Sequence, residues 1–177
     1  PPRSTLFPYT TLFRSAIQAG LTGHFVISTI HSGTAAGVYT RLIDMGIEPF
    51  LVASSITGVL AQRLIRLNCP DCTEAYKPDP IALEYFGLAG KRTKFYHGKG
   101  CDACQQIGYR GRAAVGEFLI ADDAIMEHVL HRPTTAQLHA TALKTKMQPL
   151  ADDALLKASK GITTLEELVR VLPIGAM

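Results

Sequence analysis

The chain has 177 residues, 47% hydrophobic and 19% charged, with a formal net charge of +3. That is enough apolar material for one ordinary domain and a small appendage, burying about 70% of the surface an unfolded chain exposes. No run of five like charges marks a nucleic-acid arm or polybasic anchor, no apolar run approaches the length that spans a bilayer, and the first residues lack the regions of a secretory signal. The expectation is a soluble, cytoplasmic chain.

Residues 1–15 carry three prolines and neither helical nor strand periodicity. Residues 5–15 resemble the in-frame translation of a sequencing adapter oligonucleotide. The segment 1–15 is therefore expected to be foreign or disordered, to stand outside the fold and to be joined to a truncated reading frame.

From Ala16 the pattern changes. Phe25-Val26-Ile27-Ser28-Thr29-Ile30 is an apolar, β-branched run between His24 and His31, which predicts a buried strand. Thr34 is placed to cap a helix over Ala35 to Met45, with Val38, Leu42 and Met45 on one face and Gly46 as a left-handed stop. Pro49 starts a second helix, and the apolar positions Leu51, Val52, Ile56, Val59, Leu60, Leu64 and Leu67 are expected to carry it toward the first cysteine pair. A strand followed by two helices suggests α/β layering.

All four cysteines lie in two Cys-x-x-Cys pairs, Cys69 with Cys72 and Cys101 with Cys104. Two thiolates two residues apart can sit on one knuckle turn, and a second knuckle completes the tetrahedral set of a structural Zn²⁺ site. With four protein ligands no position is left for water or substrate, so a metal held there folds the chain rather than catalyses. Two disulfides or a redox Cys-x-x-Cys are the rival states, and they need an oxidising compartment or a thioredoxin-like context.

Between the pairs, Ile81, Leu83, Tyr85, Phe86 and Leu88 allow a turn or two of helix. After them Ala113 to Ile120 predicts a strand, so the cysteine region reads as an insertion. Thr134-x-x-Gln137 and Thr163-x-x-Glu166 read as capping boxes, and four helices are expected over about 122–131, 134–146, 149–160 and 164–171. Leu138, Leu150, Leu155, Leu156, Leu165, Leu168 and Val169 are their inward residues. Arg41, Asp44 and Arg63 read as surface groups, and His128, His131 and His139 as solvated helix positions without the partners of a second metal site.

The order Leu-Thr-Gly-His-Phe-Val-Ile-Ser-Thr-Ile-His at 21–31, Arg-Leu-Ile-Asp-Met-Gly-Ile-Glu-Pro-Phe at 41–50, Leu-Ala-Gln-Arg-Leu at 60–64, both cysteine pairs and Gly-Tyr-Arg-Gly-Arg at 108–112 resembles the C-terminal part of the type II secretion and type IV pilus assembly motor ATPases. The resemblance runs from Ala16 to about Leu172, with wording nearer the type II branch. It implies an α/β fold, the C-terminal half of a RecA-like P-loop ATPase with an inserted tetracysteine zinc module. The implied divisions are an ATPase core at 16–67, the module at 68–111, and a strand with a helical C-terminal subdomain at 112–177. It further implies that His31, and with it His24, belongs to a histidine box beside the γ-phosphate, while structural Zn²⁺ sits on Cys69, Cys72, Cys101 and Cys104. ATP and Mg²⁺ would be bound by the full-length parent. That parent is implied to be a homo-hexamer at the cytoplasmic face of the inner membrane, docked on the cytoplasmic domain of a secretion platform protein and driving pseudopilus assembly.

The phosphate-cradling G-x-x-x-x-G-K-[ST] does not occur in the chain, nor do the Walker B acid and acidic box of the family. This chain alone is thus expected to be inactive. A different class of function, a stand-alone zinc-ribbon module binding nucleic acid or protein, would draw on the short basic and aromatic cluster Lys91, Arg92, Lys94, Phe95 and Tyr96.

Overall fold

A computed structural model describes residues 9–91 and 93–172. In chain order the helices and strands are α1 (Tyr9–Leu21), α2 (Ala35–Asp44), α3 (Pro49–Ser55), β1 (Gly58–Asn68), β2 (Thr73–Tyr76), α4 (Pro80–Tyr85), β3 (Phe95–Gly98), β4 (Tyr109–Ile120), α5 (Asp123–Leu130), α6 (Thr135–Lys144), α7 (Leu150–Ser159) and α8 (Leu165–Val171). None of these helices is long and apolar enough to cross a membrane. Strand β1 pairs with β4, and β2 with β3.

The helices begin and end where local chemistry dictates. Thr34 caps α2, its Oγ1 accepting the Gly37 N–H, and Gly46 follows the helix at φ +80°. Thr134 and Gln137 form the predicted capping box of α6. The four C-terminal helices all lie within the expected ranges. One cap differs from expectation: Thr164, not Thr163, caps α8 by accepting the Glu167 N–H at 3.0 Å, and Thr163 donates to the Arg66 carbonyl at 2.8 Å.

Three other expectations are corrected. The helix opened by Pro49 stops at Ser55, and 58–68 is strand rather than helix. There Leu60, Gln62 and Leu64 are exposed while Val59, Ala61 and Arg63 are half-buried and Ile65 buried, a period of two that the leucine spacing conceals. No strand forms over 25–30, where Phe25 is 86% and Ile27 82% exposed. A strand needs a neighbour for its backbone and its apolar face, and no strand among the described residues pairs with this one. Residues 9–15 are the first half of α1, with Phe13 and Ile17 one turn apart and buried. The remaining adapter-like residues, 1–8, lie outside the described ones.

The chain divides into two compact units, and the division differs from the expected 16–67, 68–111 and 112–177. One unit comprises Pro1–Ala61 with Glu117–Met147, the other Gln62–Gly116 with Gln148–Met177. The C-terminal helices are thereby shared out: α5 and α6 belong to the first unit, α7 and α8 to the second. The core of the first gathers Tyr39, Leu42, Val52, Leu119, Ile125 and Leu138. The core of the second gathers Ile65, Phe95, Val115, Leu150, Leu165 and Leu168.

In the second unit a buried carboxylate ties β1 to α8. Glu167 accepts the Arg66 backbone N–H at 2.9 Å, the Arg66 guanidinium at 2.9 and 2.7 Å, and Arg170 at 2.8 and 2.6 Å. The Arg66 guanidinium also lies 4.1 Å over the Tyr109 ring. Burial alone would raise the Glu167 pKa, but the hydrogen bonds from Arg170 and Arg66 outweigh it and hold the carboxyl down at about 2.

Candidate metal centre and histidine segment

The hydrogen bond from Cys69 N to Gly108 O at 2.9 Å closes one end of the β1–β4 ribbon, and that from Ala121 N to Thr57 O at 3.1 Å closes the other. The strands are therefore antiparallel, and residues 69–108 are an excursion between them, as expected of an insertion. Within it β2 and β3 form an antiparallel hairpin pairing Thr73 with Gly98 and Tyr76 with Phe95. Thr73 continues from the first knuckle, its Oγ1 donating to Cys69 O at 2.6 Å.

The four cysteine sulfurs all lie within 4.8 Å of one another. Cys69 Sγ is 3.8 Å from Cys101 Sγ, Cys72 Sγ 3.9 Å from Cys104 Sγ, and Cys101 Sγ 3.7 Å from Cys104 Sγ. A tetrahedron with metal–sulfur bonds of about 2.3 Å has sulfurs about 3.8 Å apart. A disulfide needs about 2.05 Å, so the four are free thiols arranged as a chelate. The donor set and its spacing fit a tetrahedral, thiophilic divalent cation, which would cross-link the two knuckles.

Electrostatics differ among the thiols. Burial pushes Cys69 up and Cys72 up to about 12. Burial also opposes ionisation of Cys104, but N–H groups of Cys101 and Gly108, 3.2 and 3.3 Å from its sulfur, bring it down to about 7. Cation binding must displace the remaining protons, so occupancy falls as pH falls.

Features outside the ligand set hold this geometry. Gly98 and Gly108 touch: a Cβ on Gly98 would stand 2.0 Å from the Gly108 carbonyl oxygen, and one on Gly108 2.2 Å from that of Gly98. Asp71 and Arg110 join the first knuckle to the start of β4 at 2.7 Å. Neither follows from cysteine spacing, although the glycine placed four residues after Cys104 is a signal in the sequence.

His24 and His31 lie in the stretch 24–31, exposed except at the part-buried Ile30, rather than at the ends of a buried strand. His24 Nδ1 lies 3.1 Å from Thr22 Oγ1. The stretch is held at its start by His24 N donating to Ala19 O at 3.1 Å, and beyond its end by Ala35 N donating to Glu117 Oε1 at 2.7 Å. Glu117 is a residue that the spacing of motifs misses. Its signal is an acid among Val115, Phe118 and Leu119 on a strand, at the register where Val115 and Leu119 are buried. No phosphate cradle accompanies these histidines among the described residues.

The profile of a family described as Type II/IV secretion system protein matches residues 11–170, taking in the cysteine excursion together with what precedes and follows it. The chain is 46% identical over 157 residues to the type II secretion system ATPase E of Vibrio cholerae, covering 88% of this chain and 31% of that protein. It is 41% identical over 157 residues to the type IV pilus assembly ATPase PilB of Thermus thermophilus, covering 87% of this chain and 18% of that protein. The chain thus spans a third or less of the length of these relatives. In fold it is similar to the Legionella pneumophila ATPase DotB, with a TM-score of 0.54 at 17% identity over 89% of this chain and 35% of that one. With a family profile spanning nearly all of it and relatives this similar over the same stretch, the chain belongs to the Type II/IV secretion system protein family.

Proposed function

We propose that the chain is the C-terminal part of a hexameric motor ATPase that hydrolyses Mg-ATP to drive pseudopilus assembly in type II secretion. The observation that carries this reading is the 46% identity to a type II secretion ATPase over 157 residues. The similarity to PilB, at 41%, supports type IV pilus assembly as the second reading. In either case the full-length enzyme works at the cytoplasmic face of the inner membrane, against the cytoplasmic domain of a platform protein.

In this reading Cys69, Cys72, Cys101 and Cys104 hold Zn²⁺, which supplies a cross-link and no chemistry on the substrate. His31, with His24 behind it, meets the phosphates of ATP in the complete enzyme. An imidazole that donates to the γ-phosphate but not to the product state couples hydrolysis to movement, and losing such a bond costs about 1.5–3 kcal/mol, or tenfold and more in rate. The exposure of the His31 side chain in this chain leaves it open to a ligand.

The test is complementation with the full-length gene in strains lacking either the secretion or the pilus motor, alongside ATP turnover of the purified product. Restored secretion with Mg²⁺-dependent hydrolysis is expected. Restored piliation without secretion moves the protein to the second reading, and absence of turnover in an assembled hexamer overturns the motor assignment.

A further inference from the structure

The exposed histidine stretch ends on a buried carboxylate. Glu117 is 4% exposed, on the face of β4 where Val115 and Leu119 are 0% and 1% exposed. An acid in such a row is costly to desolvate, and an apolar side chain of similar volume would serve the core as well or better. There the carboxylate accepts, among its interactions, the N–H of Ala35, the first residue of α2, at 2.7 Å. The positive end of the helix favours a negative group at that place. Yet α2 already has its cap in Thr34, whose Oγ1 takes the Gly37 N–H at 3.1 Å, so starting the helix does not by itself call for a second acceptor.

The bond has a different consequence for His31, four residues before Ala35. Between the two, Ser32 Oγ donates to Thr34 O at 2.9 Å and tightens the intervening turn. On the other side the nearest backbone hydrogen bond among the described residues is at His24, and the part-buried Ile30 packs against the core of the first unit. The Ala35–Glu117 bond is therefore a tether on the C-terminal side of the exposed His31, joining Ala35 to a strand 82 residues further along the chain. We infer that Glu117 is a positioning residue, which by holding the Ala35 amide sets where His31 stands for contact with a phosphate of the nucleotide. The inference rests on the reading of His31 proposed above.

Two variants test it: Glu117→Leu removes the acceptor at similar volume, and Glu117→Gln keeps a carbonyl oxygen in place. In the 177-residue chain, hydrogen exchange at Ala35 and across 31–34 should rise about tenfold in Glu117→Leu and stay near the parent rate in Glu117→Gln, with Val52 and Ile125 in the core unchanged. In the full-length hexamer Glu117→Leu should lower kcat about tenfold at unchanged KM for ATP, since small misplacements of a catalytic group have effects of that order or larger. Glu117→Gln should restore most of it, and Glu117→Leu should cost nothing further in a His31→Ala background. Unchanged exchange at Ala35 in a folded Glu117→Leu protein overturns the positioning role while leaving His31 standing. A silent His31→Ala beside a slow Glu117→Leu sinks the His31 reading, and with it the claim that Glu117 acts through that residue.

Discussion

Glu167 is a carboxylate whose environment has been built around its charge. It is fully buried, takes hydrogen bonds from two guanidinium groups and a backbone amide, and titrates at about 2 instead of its ordinary 4.5. The folded pKa lies below the unfolded one, so the stabilisation is fully present above about pH 4.5 and is lost as pH falls toward 2. Both guanidinium groups are about half exposed, so solvent screens the pairs and the stabilisation is on the order of 2–3 kcal/mol. Glu167→Gln should lower stability at pH 7 by about that amount and flatten the acid limb of the unfolding curve, as urea titrations from pH 7 to pH 3 would read. An equally steep acid limb in the variant would assign it to other carboxylates. Tyr39 presents the opposite case: its hydroxyl is buried without a partner, and burial pushes its pKa above the ordinary tyrosine value. Removing a buried, unpaired hydroxyl relieves a desolvation cost, so Tyr39→Phe should leave the unfolding free energy from urea titration unchanged or raise it by up to about 1 kcal/mol. A loss of more than that would show that the hydroxyl is bonded in solution.

At the scale of elements, the cysteine excursion combines a hairpin, two knuckles and a glycine contact. The helix α4 within it is short, and a cation on the four clustered cysteines would cross-link the two ends of the excursion. One Zn²⁺ per chain is expected on purification without chelator, by metal analysis. Stripping it should raise hydrogen exchange through 69–108 while α5 and α6, which belong to the other unit, keep their protection. A stoichiometry near zero, or exchange unaltered by chelation, would remove the metal from the account. The insertion itself was legible because two Cys-x-x-Cys pairs, which use every cysteine of the chain, are the spacing of a two-knuckle metal site. The strands β2 and β3 were not, since each is four residues long and takes its pairing from the other.

Over the whole molecule, the family assignment and the content of this chain point to a division of labour. The G-x-x-x-x-G-K-[ST] loop and the acids that hold Mg²⁺ supply most phosphate binding in P-loop enzymes, and this sequence contains no such loop. Titration calorimetry of the 177-residue chain with Mg-ATP should accordingly show no micromolar binding, and a coupled assay no hydrolysis. Micromolar affinity would mean that the histidine segment binds phosphate unaided. The exposure of Phe25 and Ile27 fits the same view, because an apolar β-branched stretch is buried only when other strands stand beside it.

What could be read from residues alone was whatever is decided within a few positions. The caps at Thr34 and Thr134 act on amides three residues away, the cysteines of each pair share a knuckle, and the four C-terminal helices carry their own starts and stops. What needed the tertiary structure was decided by partners far along the chain. Residues 58–68 are strand because β4 lies beside them, and Phe13 and Ile17 make one buried helical face across an apparent junction in the sequence. Gly98 and Gly108 are glycines because each meets the other's backbone. Glu117 and Glu167 are buried acids because amides 82 and 101 residues away require acceptors, and a carboxylate's solvation is settled by what surrounds it rather than by its neighbours in sequence.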